Sequence, residues 1–180
     1  MTNIVSFQAA RAKRSDSEAG DINQLLKRAT LILKEESGGG VKDKFGVVGR
    51  GKLKKIFEKK ITEEILRAKL ISGDTLLCGI YVSVLLDEFV TKRTPSWWAI
   101  DYAVSEDPEV LKQGGDTCFI ICGVFPARGN VRSMDISYYQ KVGAGLYNRF
   151  YNRTNKEIGY HMSQQFETMA HVVQTCLKNF

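Results

Sequence analysis

The sequence predicts an all-α protein, a single-domain bundle of six to eight helices. Three observations favour this fold class. Apolar residues recur at steps of three and four along several segments, only three prolines interrupt the 180 residues, and the longest apolar stretch, residues 76–89, exceeds the length of an ordinary strand. The sequence also allows a short strand near residues 45–49.

The amino-terminal third divides into an arm and two helices. Residues 1–20 are polar and basic and have no apolar period, which predicts a flexible basic arm before a helical domain over residues 21–180. Asp21 stands where it would cap the first helix, which we expect to end at the glycines from Gly38 onward. A basic amphipathic helix follows, with a break expected near Thr62. Its apolar stripe consists of Leu53, Ile56, Phe57, Ile61 and Ile65.

The middle of the chain holds the most apolar elements. Residues 76–89 are apolar on nearly every side, so we expect a helix covered on all sides at the centre of the core. A short helix capped by Ser96 and another with Pro108 in its first turn are expected next. Residues 114–126 are ambiguous, because β-branched and aromatic residues suit a strand, while Asp116 suits a helix start.

Two further segments have a clear helical period. The first face comprises Tyr138, Tyr139, Val142, Leu146, Tyr147 and Phe150, and the second comprises Ile158, Met162, Phe166, Met169, Val173 and Cys176. Gly143, Ala144 and Gly145 lower the helix propensity of the first segment. We therefore expect a neighbouring helix to approach closely at these small residues.

Basic residues concentrate in one segment. The formal net charge is +6, and residues 41–71 alone hold ten basic and four acidic residues. The candidate residues for binding an anion or a partner are Lys52, Lys54, Lys55, Lys59 and Lys60. The alternative interpretation is a solvated helix face without a ligand.

A nucleotide-binding loop is a second hypothesis for this region. Gly46, Gly51 and Lys52 have the spacing of a phosphate-binding loop, and Asp87 could supply a magnesium carboxylate. However, Leu53 occupies the position where such a loop needs a hydroxyl, and the preceding residues are too charged for a buried parallel strand. A chance turn explains the spacing better, so we expect no nucleotide site.

The cysteines fit a buried core better than a reactive or metal-binding site. Cys78, Cys118, Cys122 and Cys176 all lie in apolar stretches, which predicts reduced, buried thiols without disulfides. Cys118 and Cys122 are four residues apart and could share a zinc ion, and Cys118 could be a nucleophile near a helix start. Because both are flanked by apolar residues, we expect no catalytic residue, metal or cofactor.

Residues 114–147 contain Gly115-Asp116, an apolar run ending at Pro126, a short basic link over residues 128–132, the pair Tyr138-Tyr139, and a glycine-rich stretch ending at Tyr147. This pattern resembles that of a group of bacterial cytoplasmic helical proteins with no assigned activity. The resemblance extends over roughly residues 70–177 and departs from the pattern at Val124, where the group has an aromatic residue. The resemblance implies a helical fold and brings no functional residues with it.

The lack of a catalytic constellation favours a non-enzymatic protein–protein interaction module, an adaptor or assembly subunit of a larger bacterial complex. No secretory signal or transmembrane segment is recognisable, so we expect a cytoplasmic protein. The alternative function is binding of nucleic acid or an anionic membrane surface through residues 42–60. An enzyme with a thiol or nucleotide site is the third hypothesis.

Overall fold

The structure is a computed structural model, and it describes residues 52–91, 102–129 and 135–179. All of them belong to one compact unit, Arg50–Asn179. These residues are mostly helical and contain no strand, which confirms the all-α class for this part of the chain. The helices are α1 (Lys52–Arg67), α2 (Gly73–Thr91), α3 (Pro108–Gly123), the single turn α4 (Pro126–Gly129), α5 (Ile136–Thr154) and α6 (Glu157–Lys178).

Several predicted elements lie outside the described residues. They are the arm over residues 1–20, the helix from Asp21, the strand near residues 45–49 and most of the helix after Ser96. The total of six to eight helices and the domain boundary at residue 21 therefore stay predictions.

Helix α1 runs without interruption through Thr62, so the predicted break there is wrong. Ile61 and Ile65 are fully buried, and the apolar stripe continues across the expected break. The helix ends where Lys69 adopts a left-handed conformation with φ of 56°. The Leu70 amide then donates to the Ile65 carbonyl and the Lys69 amide to the Leu66 carbonyl, the two bonds of a Schellman motif.

Helix α2 packs against α1 and α6. Ser72 caps its start, because the Ser72 hydroxyl accepts from the Thr75 amide over 3.1 Å. Gly79 faces Ile61 and Ile65 of α1, where a Cβ atom would lie 3.0 Å from the Ile65 side chain. The buried apolar side chains of α2 are Cys78, Val82, Leu85, Leu86 and Phe89.

Helix α3 is a single element, whereas the sequence predicted a helix with Pro108 in its first turn and a separate element over residues 114–126 that was ambiguous between strand and helix. Asp107 caps it by accepting from the Glu109 amide over 2.9 Å, and Pro108 occupies the first turn as expected. Gly114 and Gly115 lie inside the helix and are buried. A Cβ atom on Gly114 would lie 2.4 Å from Tyr102 Cβ, so this glycine makes room for a neighbour and does not end the helix.

Helices α3, α5 and α6 form the centre of the described core. The ring of Phe166 on α6 packs edge-on against Phe119 of α3, with centroids 5.5 Å apart, and lies 6.1 Å from the Tyr147 ring of α5. Asn155 joins α5 to α6 in a left-handed conformation with φ of 52°. Both predicted carboxyl-terminal helices are therefore confirmed.

The expected close approach at the small residues of α5 occurs at Gly143. A Cβ atom there would lie 2.5 Å from the Phe166 ring and 2.7 Å from Cys118 Cβ. At Gly145 a Cβ atom would meet nothing within 4 Å. Only the first glycine is therefore explained by packing.

None of the helices in the described ranges combines the length and apolar character needed to cross a bilayer.

Candidate interaction surface

Helix α2 exposes an apolar stripe, contrary to the expectation that this helix is covered on all sides. The stripe consists of Leu77, Ile80 and Val84, at helical steps of three and four. Leu77 is 40% exposed, Ile80 is 46% exposed and Val84 is half-buried. The buried residues Cys78 and Val82 point to the opposite side of the helix, so α2 is apolar on its covered and on its open face.

The stripe has an acidic residue at each end. Asp74 precedes Leu77 by three residues and Glu88 follows Val84 by four, so both belong to the same row along the helix. Both side chains are exposed. Helix α2 contains no lysine or arginine, and its three charged residues are Asp74, Asp87 and Glu88.

One side of the stripe borders a hydrogen-bonded cluster formed by Tyr81, Lys112, Asp116 and Tyr147. The hydroxyls of Tyr81 and Tyr147 both donate to Asp116 Oδ1, over 2.5 Å and 2.6 Å. Lys112 donates to Asp116 Oδ2 over 2.9 Å, and its ammonium lies 5.3 Å from the centre of the Tyr81 ring. The carboxylate thus receives three hydrogen bonds from three helices, α2, α3 and α5.

The electrostatics of this cluster keep both tyrosines neutral. Burial raises the pKa of Tyr81 above its ordinary value, and the neighbouring Asp116 carboxylate raises it further. The pKa of the fully buried Tyr147 is raised well above its ordinary value for the same two reasons. Both phenols therefore act as hydrogen-bond donors, and the arrangement suits a structural link better than proton transfer.

The amino-terminal end of the stripe borders helix α6. The His161 ring nitrogen Nδ1 lies 3.5 Å from Asp74 Oδ1. Tyr160, the neighbouring residue, is exposed and its ring packs against Tyr151, with centroids 5.5 Å apart. Side chains that could take part in binding therefore continue from α2 onto α6.

The five lysines named from the sequence do not form one patch. Lys55 and Lys59 share the exposed face of α1, where they line an open depression together with Glu58, Thr62, Glu63 and Leu66, so two carboxylates offset the two ammonium groups there. Lys54 and Lys60 are half-buried and lie on other sides of the helix, and Lys60 approaches Glu63 to 3.7 Å. Lys52 begins α1, and its side chain lies outside the described part of the structure.

Two lysines of α1 lie near its amino-terminal end, where basic residues are unfavourable for helix stability. The first turn has no acidic residue, and Lys54 and Lys55 lie near the positive end of the helix dipole. The acidic residues Glu63 and Glu64 lie near the opposite end, where Glu64 accepts two hydrogen bonds from Arg67, of 2.9 Å and 2.8 Å.

The four cysteines are free and buried, as expected. Burial raises the pKa of each of the four thiols to about 12. A thiol that stays protonated at neutral pH is a poor nucleophile and a poor metal ligand. Within residues 52–91, 102–129 and 135–179, no three His, Cys, Asp or Glu side chains come together in a way that could hold a metal ion.

The nucleotide-loop spacing falls mostly on Gly46–Gly51, outside the described residues. Leu53, which stands at the hydroxyl position of that motif, is only 2% exposed and belongs to the core. Asp87 lies on a helix, not at the end of a strand.

The stripe of α2 and the Asp116 cluster are the features that the sequence did not single out. The spacing of Lys112 and Asp116 predicts their ion pair, but no periodicity connects them with Tyr81 or Tyr147.

Comparisons with protein-family models, with curated proteins and with solved structures find no match to this chain. The resemblance to a bacterial family stays a prediction.

Proposed function

We propose that this protein is a non-enzymatic interaction module that binds another protein along helix α2. The observation that supports this function is the apolar stripe of Leu77, Ile80 and Val84, in which Leu77 and Ile80 are exposed. A helix that only covers a core carries polar residues on its open face, whereas this helix carries apolar ones. Contiguous exposed apolar residues with a polar border are typical of protein-binding surfaces.

The surroundings of the stripe support a binding role. The Tyr81 ring is held at the edge of the stripe by its hydrogen bond to Asp116, so this part of the surface is ordered before any partner arrives. Preordered side chains lose less conformational entropy on binding, which favours affinity. The acidic residues Asp74 and Glu88 would form the polar border of the contact.

Capture from the native host tests this function. The tagged wild-type protein, the variant Leu77→Glu/Ile80→Glu and the control Val104→Glu would be purified in parallel at low and high salt. Val104 is 79% exposed and lies outside α2, so its variant adds a charge at another exposed apolar residue. Thermal unfolding would establish that all three proteins fold.

We expect a stoichiometric protein partner that survives high salt with the wild type and the control and is lost from the double variant. The same set of bound proteins in all three samples would contradict the function, because the stripe would then contribute nothing.

A second candidate function is binding of an anionic ligand, nucleic acid or membrane surface, through Lys55 and Lys59. It is supported by their common exposed face and by the unfavourable position of Lys55 near the positive end of the helix dipole. Lys55→Glu/Lys59→Glu should then abolish binding to DNA, RNA or vesicles with acidic lipid, and wild-type binding should weaken steeply with salt. Binding that is independent of salt, or unchanged in the variant, would refute this candidate. Lys141→Glu, at an exposed residue of α5, is the control.

A further inference from the structure

We infer that α1 and α2 form a helical hairpin that opens as one unit from the core of α3, α5 and α6, and that the hydrogen bond from Tyr81 to Asp116 is its latch. This conformational property of the fold does not depend on the proposed function. It is carried by the tight joint between α1 and α2, by the attachment of both helices to α6, and by the place where the bond crosses between the two groups of helices.

The hairpin is tightly built in itself. Its turn closes with the Schellman motif at Lys69, and the Ser72 hydroxyl caps α2 three residues later. At Gly79 of α2, a Cβ atom would lie 3.0 Å from the Ile65 side chain and 3.3 Å from that of Ile61, both on α1. Supersecondary motifs that are joined and packed in this way often open as one cooperative unit.

The helices α3, α5 and α6 form a second unit, in which each helix packs on the other two. Their contacts meet at Gly143 of α5, where a Cβ atom would lie 2.5 Å from the Phe166 ring of α6 and 2.7 Å from Cys118 Cβ of α3. None of these contacts involves a residue of α1 or α2. The core can therefore keep its packing when the hairpin moves away.

Within the described residues, the hairpin reaches this core mainly through α6, and neither α1 nor α2 packs extensively on α3 or α5. At one end of the contact with α6, Asp74 Oδ1 lies 3.5 Å from His161 Nδ1. The hairpin is thus attached to the core less extensively than the core helices are to one another. Elements with few contacts to their surroundings open at a lower free energy than the whole protein unfolds.

Individual side chains of α2 bridge to α3 and to the residues that follow it. The Tyr81 hydroxyl donates to Asp116 Oδ1 over 2.5 Å. The Phe89 ring packs edge-on against that of Phe125, with centroids 5.8 Å apart. Of these two bridges, the hydrogen bond is the directional one, and a single hydroxyl group controls it.

The Tyr81 hydroxyl can act as a latch because its loss leaves the core satisfied. In the open state, Asp116 stays with the core and keeps the hydrogen bonds from Tyr147 and Lys112, of 2.6 Å and 2.9 Å. The Tyr81 phenol then donates to water, so no polar group of this cluster is left buried without a partner. Opening exposes the covered face of α2, which includes the fully buried Val82.

Amide hydrogen exchange of the full chain, resolved by mass spectrometry, would test the inference. In the wild type, we expect α1 and α2 to exchange together and at least about tenfold faster than the slowest amides of α3, α5 and α6. Tyr81→Phe removes a bond that exists only in the closed state. It should accelerate exchange of α1 and α2 by about five- to thirtyfold, and exchange of the core by a similar factor, because the unfolded chain lacks the bond as well.

Gly143→Ala distinguishes the two units. Its strain lies in contacts that persist in the open state, so core amides should exchange at least about fivefold faster, whereas α1 and α2 change by less than about twofold. Cys118→Ala, which removes a buried sulfur atom from the same contact, replaces this variant if it does not fold. Tyr160→Phe, at an exposed tyrosine, is the control that should alter neither unit.

Equal exchange of α1, α2 and the core in the wild type would overturn the inference, because the helices would then unfold together. Acceleration of α1 and α2 by Gly143→Ala to the same extent as the core would overturn it for the same reason. Separate exchange of α1 and α2 would show that the hairpin is not one unit. Unchanged exchange of α1 and α2 in Tyr81→Phe would overturn the role of the Tyr81–Asp116 bond as the latch.

Discussion

The hydroxyl of Tyr81 lies 2.5 Å from Asp116 Oδ1, which links α2 directly to α3. Helix α2 otherwise packs mainly against α1 and α6, so this bond fixes one side of the exposed stripe to the α3–α5 part of the core. Tyr147 of α5 donates to the same oxygen over 2.6 Å. The order of the candidate surface therefore depends on a carboxylate that two phenols share.

Loss of either phenol should destabilise the protein. Hydrogen bonds to a charged acceptor contribute about 1.5–3 kcal/mol, and we expect Tyr81→Phe and Tyr147→Phe each to lower the free energy of unfolding by about 1–2 kcal/mol. Because both bonds end on one oxygen, the double variant should deviate from additivity. Urea unfolding measures these values, with Tyr160→Phe as the control at an exposed tyrosine. A loss no larger than that of the control would show that the cluster contributes no stability.

The sequence predicted which segments form helices better than it predicted which faces of those helices are covered by neighbours. The stretch over residues 76–89 became α2, with ends at Gly73 and Thr91, because a long apolar run leaves little alternative to a buried helix. Whether one face of that helix is open depends on which neighbours it has, and the pattern of α2 is apolar on both faces. The sequence therefore could not separate the covered face with Val82 from the open face with Ile80.

Two other differences arise from contacts between distant residues. Residues 114–126 were ambiguous between strand and helix, whereas Gly114 admits the Tyr102 side chain beside an unbroken helix. The Asp116 cluster joins residues 31 and 35 positions apart, and no local spacing predicts such a contact. Gly143 was interpreted correctly, because a run of small residues inside a helical segment is itself a sequence signal for close approach of a neighbouring helix.

Two glycines of α5 provide a matched pair of variants. In Gly143→Ala, the new Cβ atom would lie 2.5 Å from the Phe166 ring and 2.7 Å from Cys118 Cβ, both of which are buried. Overpacking of this kind should lower the free energy of unfolding by about 1–3 kcal/mol. Gly145→Ala meets nothing within 4 Å and should stabilise the helix by about 0.5–1 kcal/mol. Chemical denaturation would measure both, and effects of equal sign would contradict the packing described at Gly143.

The four cysteines should be unreactive in the folded protein. All are buried, and the pKa of each thiol is raised from 9.0 to about 12 by burial. A thiol reagent at pH 8 should therefore modify none of them rapidly, and all four only after denaturation. Lys141→Cys, at an exposed residue, provides the reactive control. Rapid modification of a native thiol would indicate an accessible thiolate and revive the thiol-enzyme hypothesis.

The same thiols should make the protein sensitive to alkali. Because their pKa is higher in the folded than in the unfolded chain, the stabilising effect of keeping them protonated is complete below pH 9 and is lost as the pH rises toward 12. The raised pKa values of Tyr81 and Tyr147 act in the same direction at higher pH. Thermal unfolding between pH 7 and 11 should thus show a melting temperature that declines above pH 9. A constant melting temperature over this range would contradict the burial of these groups.

Arg149 should anchor the segment that precedes α3. Its guanidinium donates to the carbonyls of Ala103 and Ser105, over 2.5 Å and 2.7 Å, so one side chain on α5 holds two carbonyl groups of this segment. Lysine cannot reproduce this fork, and Arg149→Lys should lower the free energy of unfolding by about 1–2 kcal/mol and accelerate amide hydrogen exchange over residues 102–106. The control Arg153→Lys alters a residue that pairs with the exposed Glu106 side chain, an ion pair worth at most about 1 kcal/mol. Equal effects of the two variants on exchange would show that surface charge, and not the backbone contacts of Arg149, orders this segment.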